Sequence, residues 1–333
     1  MRYIIIGSGA VGGTVGGRLA EAGHEVVLVA RGAHAEALRD GGLRLRTHEG
    51  TLTHRLPVAE QPTDLGELRA DDILFLAVKT QDVTAALDAW GGRPVTGGGT
   101  AAERLPLVCA QNGVESERIA LRRFRHVYGV CVYMPASHTE PGLVSAVGSP
   151  RTGILHIGRY PAGTDETARR ISADLEKSRI LAPVVADVMR WKYAKLLANL
   201  ANSVEAVTGP ITDDEAKNLY ARARAEGEAA LTAAGIAWAG DEEQQRARAD
   251  HIRFDPFDGS PRGGGSSWQS LDRGTGSIES DYLNGEIALL GRWHGVPTPV
   301  NDALQRVANR CARERRPAGS MTVAELTAEV DTG

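Results

Sequence analysis

At 333 residues the chain is long enough for two domains and a substantial buried core. Lysine and arginine number 38 against 42 acidic residues, giving a formal net charge of −4, and aromatic residues make up only 5 %; this excludes an electrostatic case for nucleic acid or an anionic membrane, and rows of base-stacking rings with it. Cys109, Cys131 and Cys311 are scattered without metal-ligand spacing, the apolar start lacks the flanks of a signal peptide, and no apolar run nears the ~20 residues of a membrane helix, so a soluble cytoplasmic protein is expected.

"RYIIIG" opens the chain as a β-branched strand ending on a glycine turn, and "VGGTVGGRLAEAG" continues as a helix stopping at Gly23. "HEVVLVAR" predicts a second strand and "GAHAEALRDGG" a second helix closed by glycines. Strands follow at 72–78 ("DILFLAV") and 105–110 ("LPLVCA"), with the helix "VTAALDAW" between them. Short apolar strands alternating with helices imply a doubly wound parallel sheet. Residues 126–160 are β-rich, and beyond Pro183 the pattern is helical almost to the end. The division predicted is a dinucleotide-binding domain over 1–186 and an all-helical domain over 187–333. Within the latter, "RFDPFDGSPRGGGS" (253–266) reads as a loop, and Thr322 with Glu325 has capping-box spacing for a short last helix.

Gly7-Ser8-Gly9-Ala10-Val11-Gly12 is a GxGxxG run lying between a strand and a helix. Gly7 permits the tight turn, Gly9 lets backbone approach a pyrophosphate, Gly12 allows close helix–strand packing, and the helix start offers free N–H groups. The end of the second strand should carry an acid for a ribose 2′-OH; "LVARG" puts Arg31 there instead. A permanently charged, bidentate guanidinium suits a 2′-phosphate, which predicts NADP(H). Lys79 follows the strand "DILFLAV", at the carboxyl edge where such sheets bind ligands.

"WKYAKLLANLANS" (191–203) reads as a buried helix, yet Lys195, Asn199 and Asn202 fall on one stripe beside Leu196, Leu197 and Leu200. Such groups must face solvent, pair, or wait for a ligand. On the helix pattern alone, Lys195 reads sooner as a lysine whose stem covers leucines while its head reaches water.

Taken together, "GSGAVGG", "LAVKTQD", "QNGVE", "PGLV", "WKYAKLLANLANS", "SIESDYLNGEI" and "HGVPTPVN" stand in an order and spacing that resembles the ketopantoate reductase (2-dehydropantoate 2-reductase) family. The resemblance implies a Rossmann-type domain, a helical domain, an active site in the cleft between them, and reduction of a 2-oxo acid by NADPH. It matches Lys195 to the catalytic lysine and Asn199 to a substrate-binding asparagine. It places Lys79 and Asn112 near nicotinamide and substrate, and Glu279 close to both as a catalytic and cofactor-binding residue. Ser267, or else Ser266, should bind the substrate carboxylate. Asn202 and Ser203 join the substrate-binding set, Ser203 at the position of the family's second asparagine.

The match departs from the family in the substrate half. The second asparagine is Asn202, one residue early, with Ser203 in its place, and Trp268 stands in "SSWQSLD" where methionine is usual. A one-residue shift turns a helical side chain by ~100°. Ketopantoate leads as substrate; a different 2-oxo acid, a β-hydroxyacid or opine-type dehydrogenase, and a non-catalytic NADPH sensor remain alternatives. The nine histidines show no HxH or HExxH spacing, so no metal is expected. A homodimer and a monomer are equally compatible with the sequence.

Overall fold

A computed structural model describes residues 1–249, 251–255, 257 and 264–332. The chain begins with β1 (Arg2–Ile6), α1 (Ala10–Glu21), β2 (Glu25–Val29), α2 (Gly32–Gly41), β3 (Leu43–Thr47), β4 (Gly50–His54), β5 (Val58–Ala59), β6 (Asp72–Leu76) and α3 (Val83–Gly91). It continues through α4 (Ala101–Arg104), β7 (Pro106–Cys109), α5 (Ser116–Leu121), β8 (His126–Tyr133), β9 (Ala136–Glu140), β10 (Leu143–Ala146), β11 (Gly148–Pro150), β12 (Gly153–Arg159), α6 (Glu166–Lys177) and β13 (Ile180–Leu181). Then come α7 (Val188–Asn199), α8 (Ala201–Thr208), α9 (Asp214–Ala233), α10 (Asp241–Arg248), β14 (Ile252–Phe254), α11 (Ser266–Asp272), α12 (Asn284–His294), α13 (Pro299–Arg313) and α14 (Val323–Asp331).

Two compact units result: Met1–Trp191 with Gly240–Pro261, and Lys192–Ala239 with Arg262–Gly333. The first unit carries a sheet in the order β13-β12-β8-β7-β6-β1-β2-β5. Its pairs are parallel except β12 against β8. β1 shows why its sequence is an unbroken apolar run. Tyr3 and Ile5 join a core with Val15, Leu28 and Phe75, while Ile4 and Ile6 face the opposite way into a core with Val27, Leu74 and Trp90. Both faces of a central parallel strand are covered, so the period-2 alternation of a half-exposed strand disappears. At the foot of the sheet Arg2 donates to both carboxylate oxygens of the fully buried Asp72, at 2.8 and 2.6 Å, tying β1 to β6.

A second sheet, β4-β3-β10-β9, belongs to the same unit, with α1 between it and the main sheet. Its hairpin, 43–54, and helix α6 lie outside the elements expected from the sequence. Asp165 caps α6 by accepting from the Ala168 amide at 2.9 Å.

The two compact units are drawn differently from the expected division at 186. The division falls inside α7, between Trp191 and Lys192. The helical half is also discontinuous, because α10 and β14 return to the first unit. β14 pairs antiparallel with β11, Glu243 takes both ends of the Arg190 guanidinium at 2.7 and 2.6 Å, and the Tyr133 hydroxyl donates to Gln244 at 3.0 Å. The expected loop 253–266 overlaps β14 and the start of α11; Pro256 and 258–263 lie outside the described residues.

The second unit is helical. Gly227 of α9 lets Leu197 and Leu200 close in: a Cβ there would stand 2.7 Å from Leu197 Cδ2. The Glu226 carboxylate accepts the Val300 and Asn301 amides at 2.9 Å each, satisfying the start of α13 behind Pro299. Thr322 and Glu325 close their capping box, and α14 follows.

Candidate active site

In the first unit the fingerprint turn sits at the carboxyl end of β1. Gly7 has φ +99°, a backbone state that L side chains resist, and the Gly7 and Ser8 amides both donate to Val29 O at 3.1 Å. A Cβ on Gly12 would lie 2.1 Å from Gly7 O, so only glycine lets α1 pack this close. Helical hydrogen bonding begins with the Gly13 amide on Gly9 O at 2.7 Å, leaving the amides of Ala10, Val11 and Gly12 for another acceptor. A Cβ on Gly9 would meet no heavy atom within 4 Å, so the space beside those amides is open. The Ser8 hydroxyl turns inward to Val29 O at 3.1 Å. Its backbone thus lines the turn while its side chain braces it. These features fit a dinucleotide's pyrophosphate.

Arg31 stands two residues beyond Val29 at the start of α2, exposed and without a side-chain partner among the described residues. Lys79 follows β6 and opens the short turn Thr80–Asp82, and Asn112 follows β7. The Gln111 amide, buried, donates to Leu76 O at 2.8 Å and Val78 O at 3.2 Å, lashing the segment carrying Asn112 to the one carrying Lys79. Since β7, β6, β1 and β2 are neighbours, the structure gathers Asn112, Lys79, Gly7–Gly12 and Arg31 along one edge. The chain steps from β1 to β2 on one side and back to β6 on the other, which makes this edge the switch point of the sheet.

Two residues here escaped the sequence reading, Gln111 and His34. The Gly142 amide donates to His34 Nδ1 at 3.0 Å; a backbone N–H can only donate, so the ring proton is on Nε2, which donates to Ser8 O at 2.8 Å. Burial holds this imidazole below the ordinary histidine range, against the pull of the Ser8 carbonyl. His34 lies three residues beyond Arg31, and nothing local in the sequence marks it as the brace of the fingerprint.

In the second unit, α7 ends at Asn199 and α8 begins at Ala201, so the expected single helix has a break at Leu200. Lys195 is half-buried and Asn199 buried. Ser203, expected in the substrate-binding set, is buried, and its hydroxyl donates to Asn284 Oδ1 at 2.6 Å while meeting Ser280 Oγ at 3.0 Å. Asn284 donates in turn to Asn301 Oδ1 at 3.0 Å, and Asn301 to Glu226 at 2.8 Å. This chain of polar contacts holds the turn Glu279–Tyr282, and with it the buried Glu279, to α8, α12, α13 and α9. Ser203 is therefore a brace for that turn.

Asn202, one residue earlier, points elsewhere. Its Oδ1 lies 3.5 Å from where a Cβ on Gly265 would be, directly before Ser266 and Ser267. Both serine hydroxyls are buried with no hydrogen-bond partner among the described residues. A buried hydroxyl left unpaired is costly, so these two are ready donors for a ligand oxygen. The structure places Asn202 beside Gly265, directly before Ser266 and Ser267, and turns the Ser203 hydroxyl to Asn284 and Ser280.

Comparison with known proteins gives a consistent result. The family model described as "Ketopantoate reductase PanE/ApbA" matches residues 3–162, and "Ketopantoate reductase PanE/ApbA C terminal" matches 187–312. The 2-dehydropantoate 2-reductase of Mesorhizobium japonicum is 30 % identical over 95 % of this chain and 99 % of its own. Among solved structures, a PanE/ApbA family ketopantoate reductase from Ralstonia eutropha JMP134 is 25 % identical, with a TM-score of 0.77 over 95 % of this chain and all of its own. D-mandelate dehydrogenase, solved with NADH and anilino(oxo)acetate, has a TM-score of 0.79 over 95 % of this chain and 100 % of its own; at 22 % identity it speaks for the fold alone.

Proposed function

The chain belongs to the ketopantoate reductase family, and on that premise we propose that it reduces a 2-oxo acid to the 2-hydroxy acid with NADPH, ketopantoate to pantoate in the leading case. The observation that carries this reading is the pair of buried hydroxyls of Ser266 and Ser267, unpartnered among the described residues, in a chain that also has an open glycine turn after β1. Hydroxyl donors suit the carboxylate that every 2-oxo acid carries.

Nicotinamide, when bound, supplies hydride to the carbonyl carbon of the substrate. The amides of Ala10, Val11 and Gly12 would hold the pyrophosphate, and Arg31, unpaired among the described residues, would hold the 2′-phosphate that distinguishes NADP(H). Lys79 and Asn112 would stand beside a bound nicotinamide. Ser267, with Ser266 beside it, donates to the substrate carboxylate, while Asn199 and Asn202 orient the substrate through its oxygens without adding charge. As negative charge builds on the carbonyl oxygen, the Lys195 ammonium stabilises it and gives up the proton that completes the alcohol. Glu279, fixed on its braced turn, acts beside cofactor and substrate.

The test is oxidation of NADPH, followed by absorbance, with ketopantoate as substrate and Lys195→Met alongside. The expected result is turnover that falls about 100-fold or more in the variant, the usual range for losing a general acid. No turnover, with NADPH still binding, would move the substrate assignment to a panel of other 2-oxo acids.

A further inference from the structure

Glu205 lies one turn beyond Asn202 on the same face of α8, and its carboxylate accepts the Gly265 amide at 2.9 Å. Glycine leaves room for that approach: a Cβ at 265 would lie 2.7 Å from Glu205 Oε2. One backbone position is thus flanked by the Glu205 carboxylate and the Asn202 amide, and the next two residues carry the unpartnered hydroxyls. Glu205 is half-buried and its carboxylate accepts from an uncharged amide; no cation pairs with it among the described residues. The donor pair proposed to receive a substrate carboxylate therefore has a fixed negative charge as its neighbour.

We propose that Glu205 determines substrate specificity, admitting monocarboxylic 2-oxo acids and turning away those with a second carboxylate. The inference rests on the reading of the site as one for 2-oxo acids. One substrate carboxylate is received by the hydroxyls of Ser266 and Ser267. A second carboxylate on the same small molecule lies within a few carbon–carbon bonds of the first, and in a half-buried setting its repulsion by Glu205 is poorly screened. Discrimination of this kind comes from an unfavourable element built against the wrong ligand. A neutral residue that still accepts from Gly265 would keep the loop in place and remove the repulsion.

The experiment compares kcat/KM for ketopantoate and for 2-oxoglutarate in the wild type, Glu205→Gln and Glu205→Asp, with Glu205→Met as a second neutral variant and thermal melts to confirm folding. The glutamine oxygen can still accept the Gly265 amide. The expected result is a monocarboxylate-to-dicarboxylate ratio lowered about tenfold or more in the neutral variants, through a gain on 2-oxoglutarate, and retained in Glu205→Asp. A ratio unchanged in the neutral variants, or lowered equally in Glu205→Asp, would overturn the role of the charge. A wild type that reduces no 2-oxo acid with either nicotinamide cofactor would overturn the parent reading, and the inference with it; that outcome is recognisable before any variant is measured.

Discussion

Arg2, Arg18 and Arg190 are each locked to a carboxylate, whereas Arg31, beside the fingerprint, has no such partner among the described residues. Its charge is available to a ligand. Charge-assisted hydrogen bonds are worth about 1.5–3 kcal/mol, so Arg31→Ala should raise the KM for NADPH about 10- to 100-fold. The KM for NADH, which lacks the 2′-phosphate, should change little. Steady-state kinetics with both cofactors decide this, and equal effects would remove the NADP assignment. Arg31 was legible in the sequence because strand β2 and the glycine run fix its place by local pattern. The difference between Asn202 and Ser203 was not. Both follow Lys195 by about two turns, and the partners that hold Ser203, Asn284 and Ser280, lie about 80 residues further along the chain.

At the scale of elements, the polar chain from Ser203 through Asn284 and Asn301 to Glu226 joins α8, α12, α13 and α9 where leucine and alanine otherwise pack. Removing the hydroxyl leaves Asn284 Oδ1 without its buried donor. Ser203→Ala should therefore destabilise the protein by about 1–3 kcal/mol, measured as a fall in the denaturation midpoint, while the KM for the 2-oxo acid moves by less than about twofold. A tenfold rise in that KM with unchanged stability would return Ser203 to the substrate. Elements with strong local signals were readable: β1, β2, β6 and β7 as apolar runs, α1 and α2 as glycine-bounded helices. Leu43, Leu45 and Thr47 do alternate with Arg44 and Arg46, so β3 carried a period-2 signal that the glycine-rich context obscured. β5 and β13, two residues each, have no period to read; they exist through pairing with β2 and β12.

The whole molecule is assembled by contacts distant in sequence, and one of them makes its stability depend on pH. Helix α10 belongs to the first unit through partners such as Arg190 and Tyr133, beside a site where the buried His156 lies flat on Trp191, ring centroids 4.0 Å apart. Burial, with the charge of Arg248 adding to it and Glu243 opposing, pushes the His156 imidazole down to about 4. Its Nδ1 is buried with no hydrogen-bond partner among the described residues. In the unfolded chain the ring titrates near 6.5, so between about 6.5 and 4 the unfolded state binds the extra proton and the native state does not. Stability contributed by the neutral ring is thus fully present above 6.5 and is lost as the pH falls toward 4, by about 3 kcal/mol at most for a shift of this size. Phenylalanine can stack on Trp191 and cannot titrate. His156→Phe should stay within about 1 kcal/mol of the wild type at pH 7.5, since no Nδ1 hydrogen bond is lost, and should lose less stability on acidification. Denaturant midpoints for both proteins at pH 7.5, 6, 5 and 4.5 provide the comparison. Parallel curves would mean that His156 titrates alike in the folded and unfolded chain, and that the acid sensitivity of the first unit arises elsewhere.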